Sequence, residues 1–121
     1  MTSTTATRHL DRPDGRVAYD VAGDGPLVVL APGMGDLRAV YREVAGALLA
    51  AGHRVVSTDL RGHGDSDTTF RSSGVQAIAD DLTALLEHLG EPAALVGHSV
   101  SAGSAALVPD RTRCSFCGPL E

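Results

Sequence analysis

Residues 93–101 read Ala93-Ala94-Leu95-Val96-Gly97-His98-Ser99-Val100-Ser101, and the fold is decided by how this stretch is read. Four apolar residues suit a short strand, and Gly97 permits a tight turn. The small residues from Ala102 to Val108 suit a helix lying close on a sheet, with Pro109 to stop it. The residues before this stretch repeat the same alternation of strand and helix. Val75, Ile78, Leu82, Leu85, Leu86 and Leu89 fall at helical spacing, with Ser72 or Ser73 as the expected N-cap and Gly90 then Pro92 as the stop. Arg54 to Thr58 is strand-like, and the Gly-rich polar run Asp59 to Ser66 suits a strand-to-helix loop. Leu37, Val40, Tyr41, Val44, Leu48 and Leu49 predict a helix over Leu37 to Ala51, closed by Gly52.

Leu27 to Ala31 is a continuous apolar run closed by Pro32-Gly33, as expected of a central strand buried on both faces of a parallel sheet. Arg16 to Ala22 reads as a strand that pairs with Ala6 to Leu10 in an antiparallel hairpin. Strands alternating with helices of these lengths give βαβ units, which close right-handed. The expected class is therefore α/β: a mostly parallel, doubly wound sheet with an antiparallel N-terminal hairpin.

Composition narrows the partners. The chain has 121 residues, 43% hydrophobic and 21% charged, ordinary for a globular domain. Ten basic against 15 acidic residues give a net charge of −5, and no basic stripe could follow a phosphate backbone, so nucleic acid is not an expected partner. The polar N-terminus resembles neither a secretory signal nor a transit peptide, which leads us to expect a cytoplasmic protein. The longest nearly apolar stretch, Val44 to Gly52, is less than half of the roughly 20 residues that a membrane-spanning helix needs. Cys114 and Cys117 form a single C-x-x-C without a second ligand pair or a thioredoxin-like context, and the five histidines show no metal-ligand spacing. We expect no metal and no cofactor; oligomeric state cannot be read from these residues.

A serine hydroxyl is a poor nucleophile unless it is exposed, beside a base and near donors for the oxyanion it creates. A strand–serine–helix turn supplies the exposure and one donor, and Gly97-His98-Ser99-Val100-Ser101 has that form, with Ser in place of Gly at its last position. The plainer reading of the same residues is a β-to-α turn in which Ser99 caps a helix.

From about Val17 to Leu107 the chain resembles the α/β-hydrolase superfamily through three motifs in order. These are Pro32-Gly33-Met34-Gly35 after the central strand, Asp59-Leu60-Arg61-Gly62-His63-Gly64-Asp65-Ser66 matching a D-x-R-G-x-G-x-S loop, and the elbow at Ser99. The resemblance implies Ser99 as nucleophile, the backbone N–H groups of Met34 and Val100 as oxyanion donors, and a small-molecule acyl substrate such as an ester. Ala31 stands where many members carry histidine. A serine at the elbow disfavours the epoxide-hydrolase and haloalkane-dehalogenase branches, which use a carboxylate. Asp59, Arg61 and His63 are expected to shape their loop by hydrogen bonds, and His98 to point away from the nucleophile.

The family orders its triad Ser, acid, His, yet His9, His53, His63, His88 and His98 all precede Ser99, and only Asp110 and Glu121 follow it as acids. We therefore expect a domain of residues 1–108, truncated after the elbow helix and catalytically impaired, with 109–121 an irregular tail foreign to the family. A truncation or frameshift near Pro109 would explain the change of composition. It would leave the strand at Ala93 to Val96 as an exposed edge and the isolated chain marginal or insoluble. A hydrolase-fold ligand-binding or regulatory protein, resembling bacterial stress regulators or plant butenolide receptors, and a non-functional gene remnant are the alternatives.

Overall fold

The computed structural model describes residues 6–109 and, as backbone, 113–117. Its chain order is β1 (Arg8–Arg12), β2 (Gly15–Ala22), β3 (Leu27–Ala31), a 3-10 turn (Arg38–Tyr41), α1 (Arg42–Ala50), β4 (Arg54–Thr58), α2 (Val75–Leu89), β5 (Ala93–Gly97), α3 (Val100–Ala106) and β6 (Arg113–Cys117). The six strands form one sheet in the order β1-β2-β4-β3-β5-β6. β1–β2 and β2–β4 are antiparallel, and the pairings of β3 with β4, β3 with β5 and β5 with β6 are parallel.

All five residues of β3 are buried, because layers cover it on both sides. On one face Leu27, Val29 and Ala31 join Ile78, Leu82, Leu85 and Leu86 of α2 and Ala105 of α3. On the other, Val28 and Leu30 join Tyr41 and Val55, backed by Ala45, Leu48 and Leu49 of α1. Period-2 alternation thus puts both halves of an unbroken apolar run against separate cores. The chain leaves β3 to build β4 on one side and later returns to build β5 on the other. The strand order reverses at β3, and in open α/β sheets such a switch point opens a crevice at the strands' carboxyl ends.

Several expectations are corrected in detail. The helix predicted over Leu37 to Ala51 opens as a 3-10 turn over Arg38–Tyr41, and the first N–H of that turn, from Arg38, donates to Asp59 Oδ1 at 2.7 Å. Gly74, rather than Ser72 or Ser73, stands at the N-cap of α2; the Ser72 carbonyl is held by Arg61 Nη1 at 3.0 Å. Arg113–Cys117, expected to be irregular, is β6, and β5 is not a free edge: it pairs with β6 from Ala93–Arg113 to Gly97–Cys117. Strand pairing satisfies backbone N–H and C=O groups whatever the side-chain periodicity, so composition gave no sign of it. Cys114 and Cys117 lie on this strand, where side chains are outside the described residues, as are Asp110 and Glu121. Among the described residues, no helix is long and apolar enough to cross a membrane.

The Asp59–Ser66 loop is fastened by buried charges. The Arg61 guanidinium meets Asp81, in the middle of α2, through Nε and Nη2, both at 2.7 Å, and Arg12 of β1 adds a third bond at 2.9 Å. Arg61 also lies over the Phe70 ring, 4.1 Å from its centre. Hydrogen bonding to Asp81 holds the Arg61 pKa above its ordinary value, against the opposing effect of burial. Removing one partner strands a buried charge, so Asp81→Asn should lower the unfolding free energy by about 3–5 kcal/mol in urea denaturation. Glu91→Gln, at the half-exposed Arg54–Glu91 pair, should change it by less than about 1 kcal/mol.

Candidate active site

The switch point brings two turns together: the one leaving β3 (33–36) and the one joining β5 to α3 (98–99). Ser99 is exposed and has φ +59°, ψ −119°, a conformation that L residues rarely adopt. The cause is crowding at the strand end. A Cβ on Gly97 would lie 2.4 Å from the Ser101 carbonyl oxygen and 2.8 Å from Ala102 N, so α3 begins against the bare backbone of position 97. To turn that sharply the chain places its positive φ on Ser99. Ser99 stands at the N-cap of α3, yet its hydroxyl makes no capping bond. The simple helix-cap reading of this serine therefore lacks its defining hydrogen bond.

The turn after β3 has the geometry of a type II turn. Asp36 N donates to the Gly33 carbonyl at 3.0 Å, and Gly35, third in the turn, has φ +88°, which glycine adopts at little cost. The two turns abut: a Cβ on Gly33 would lie 3.2 Å from Ser99 Cβ and 3.0 Å from His98 Cδ2. Among the described residues neither the Met34 N–H nor the Val100 N–H has a hydrogen-bond acceptor. Val100 is the first residue of α3, where no intrahelical partner exists. An anion at this junction would therefore find free N–H groups.

Three side chains hold the β3 turn in place. Ser101 Oγ donates to the Pro32 carbonyl at 2.6 Å, Tyr41 Oη donates to the Ala31 carbonyl at 2.9 Å, and His63 Nε2 accepts the Gly35 N–H at 2.9 Å. Sequence reasoning expected His63 to bond within its own loop and missed the roles of Ser101 and Tyr41. Ser101 had a signal, since it departs from the glycine usual at that motif position. In the structure it has no positive φ, so nothing there demands glycine, and its buried hydroxyl ties α3 to the β3 turn. Tyr41 had been read only as an apolar helix position.

Asp59, Arg61 and His63 do organise their loop. The Asp59 carboxylate is 1% exposed and accepts from Arg38 N, Arg38 Nη1 and, at 3.0 Å, from Asp65 N. The Ser66 hydroxyl closes the loop by donating to the Asp59 carbonyl at 3.1 Å while accepting the Ala18 N–H at 2.8 Å. His98 packs its ring against Gly33, and its buried Nδ1 has no partner among the described residues. A cavity of about 510 Å³ opens elsewhere, between α1, β2 and β4, and includes none of Ser99, Met34 and Val100 in its lining. Its charged rim, Asp20, Arg38, Asp59 and Asp65, is already internally paired.

The family model described as serine aminopeptidase, S33, matches residues 25–118. The magnesium-chelatase 30 kDa subunit of Rhodobacter capsulatus is 37% identical over 107 residues, covering 87% of this chain and 37% of that protein. Epoxide hydrolase A from Mycobacterium thermoresistibile superimposes with TM-score 0.78 at 31% identity, over 93% of this chain and 39% of that one. The thioesterase domain from the curacin biosynthetic pathway gives TM-score 0.79 at 27% identity, over 87% and 39%. The chain spans between 26% and 37% of the length of the first curated relatives that it matches.

Two outcomes follow from the geometry. Glycine relieves the positive φ at position 99 but loses more entropy on folding, so Ser99→Gly should be more stable than Ser99→Ala by about 1 kcal/mol in thermal or urea unfolding. Burial, helped by Asp36, pushes the Tyr41 phenol up to about 12 from the ordinary 10.0. The folded chain then holds a proton that the unfolded chain releases, so this contribution to stability is intact below pH 10 and is lost as the pH rises towards 12. Tyr41→Phe should flatten that alkaline fall, as read from urea midpoints across the range, while costing about 1 kcal/mol at neutral pH through the lost bond to the Ala31 carbonyl, which keeps the His98 N–H at 3.3 Å.

Proposed function

The chain belongs to the serine aminopeptidase S33 family of the α/β-hydrolase superfamily, and on that premise we propose that its elbow serves a serine hydrolase acting on an ester or related acyl bond of a small molecule. The observation that carries this reading is the exposed Ser99 hydroxyl, free of any capping bond, on a turn abutting another whose Met34 N–H is also free. In the proposed reaction Ser99 Oγ attacks the acyl carbon, the Met34 and Val100 N–H groups hold the oxyanion, and the leaving group departs to give an acyl-serine that water hydrolyses. The family's description as a serine enzyme and the likeness to a thioesterase domain support acyl chemistry.

The likeness to epoxide hydrolases does not transfer its substrate. A serine oxygen that opened an epoxide would form an ether, which has no acyl carbon for water to attack and would block the site. A serine that takes an acyl group forms an ester, which water can cleave. The residue at position 99 thus favours acyl transfer.

Within this chain all five histidines precede Ser99, and among the described residues no imidazole bonds its hydroxyl. We expect acylation helped by the oxyanion donors and slow deacylation, with turnover of p-nitrophenyl acetate close to background. The acetyl group should accumulate on Ser99, which peptide mass spectrometry reads directly. Ser72 and Ser73 are exposed controls, and the sequence has no lysine to compete. Oxyanion donors are worth roughly 10²–10³ in rate, so Ser99 should acetylate at least about 10²-fold faster than either control. Equal labelling of the three serines would refute the proposal.

A further inference from the structure

We propose that His63 is a positioning residue that fixes the oxyanion-binding turn by accepting the Gly35 N–H at Nε2. The inference rests on the reading of Met34 N–H as an oxyanion donor. His63 contacts no reacting group; it acts through the turn.

The two bonds of the ring leave one protonation state. Nε2 lies 2.9 Å from Gly35 N, which can only donate, so Nε2 must present its lone pair. Nδ1 lies 3.0 Å from the Arg61 carbonyl, which can only accept, so Nδ1 must carry the proton. The imidazole is neutral and oriented at both ends. Its anchor is firm, because Arg61 is itself bound to Asp81 of α2 and to the Ser72 carbonyl.

What this controls is the central peptide of the 33–36 turn. Type I and type II turns differ by a rotation of that peptide that leaves the flanking residues nearly in place. The Gly33–Asp36 hydrogen bond alone does not choose between them. In the observed form the Gly35 N–H faces Nε2; after rotation the Met34 carbonyl oxygen would face the same lone pair and be repelled. His63 therefore selects the observed turn and, by tying Gly35 to the anchored loop after β4, restrains the whole 33–36 turn, Met34 included, against Ser99. Ser101 and Tyr41 hold the carbonyl oxygens of Pro32 and Ala31, upstream of this peptide, and cannot make that choice.

Two substitutions separate positioning from plain support. His63→Gln places an amide oxygen where Nε2 lies and can accept the Gly35 N–H. His63→Asn keeps a donor at the Nδ1 position for the Arg61 carbonyl and loses the reach to Gly35. In the 121-residue chain, Ser99 acetylation by p-nitrophenyl acetate should slow by about tenfold in His63→Asn, with the half-saturating ester concentration within about twofold. His63→Gln should stay within about threefold of the parent rate. Amide hydrogen exchange, followed by NMR, should find Gly35 protected in the parent and in His63→Gln and fast in His63→Asn. Rescue by Asn but not by Gln would overturn the proposal, as would fast Gly35 exchange in the parent. If Ser99 shows no selective acetylation in the parent, the hydrolase reading fails, while Gly35 exchange still decides whether His63 holds the turn.

Discussion

A carbonyl oxygen, that of Ser101, lies 2.4 Å from where the first side-chain carbon of residue 97 would be, and the surroundings of Ser99 follow from that contact. Because α3 starts so close to the end of β5, the intervening residues cannot pass through an ordinary loop. The chain reverses within His98 and Ser99, and one of them has to take a backbone angle that side chains resist. Ser99 takes it, at a cost of order 1–3 kcal/mol. Its hydroxyl is thereby lifted clear of α3, where it would otherwise cap the helix.

Such strain persists only where neighbours over-determine the conformation. Here the neighbours are polar and come from three places in the chain: Ser101 from α3, Tyr41 from the 3-10 turn and His63 from the loop after β4. Each bonds a backbone group of the segment 31–35. A net hydrogen bond is worth about 1 kcal/mol, and a buried carbonyl or N–H left without one costs about 1–3 kcal/mol. Together these bonds are of the same order as the strain that they accompany. The segment is short and glycine-containing, yet its geometry is set from outside.

The strands and helices were legible because their signals are local. The unbroken run Leu27–Ala31 implied cover on both faces, and the apolar spacing from Val75 to Leu89 implied α2; both are observed. What failed depended on contacts distant in sequence. Asp59 accepts the first N–H of a 3-10 turn 21 residues before it, and Arg61 takes the carbonyl of a serine read as an N-cap. β6 satisfies the edge of β5 through backbone groups that carry no periodic signature. The same limit hid the bond between Ser101 and Pro32, 69 residues apart, although the serine itself stood out as an unusual letter in the motif.

The Asp59–Ser66 motif, the most specific in the sequence, commits its buried polar side chains to structure. Its carboxylate, guanidinium and hydroxyl are all committed to fastening the loop between β4 and α2 to the rest of the sheet. His63 is the member that reaches the turn abutting Ser99, and it does so with its second nitrogen. A motif can thus be diagnostic of a family without touching the reaction, because the cost of misplacing the adjacent turn constrains it as tightly as chemistry would. The Ser99 hydroxyl and the Met34 and Val100 N–H groups, unpartnered among the described residues, lie at the two turns that this network holds together.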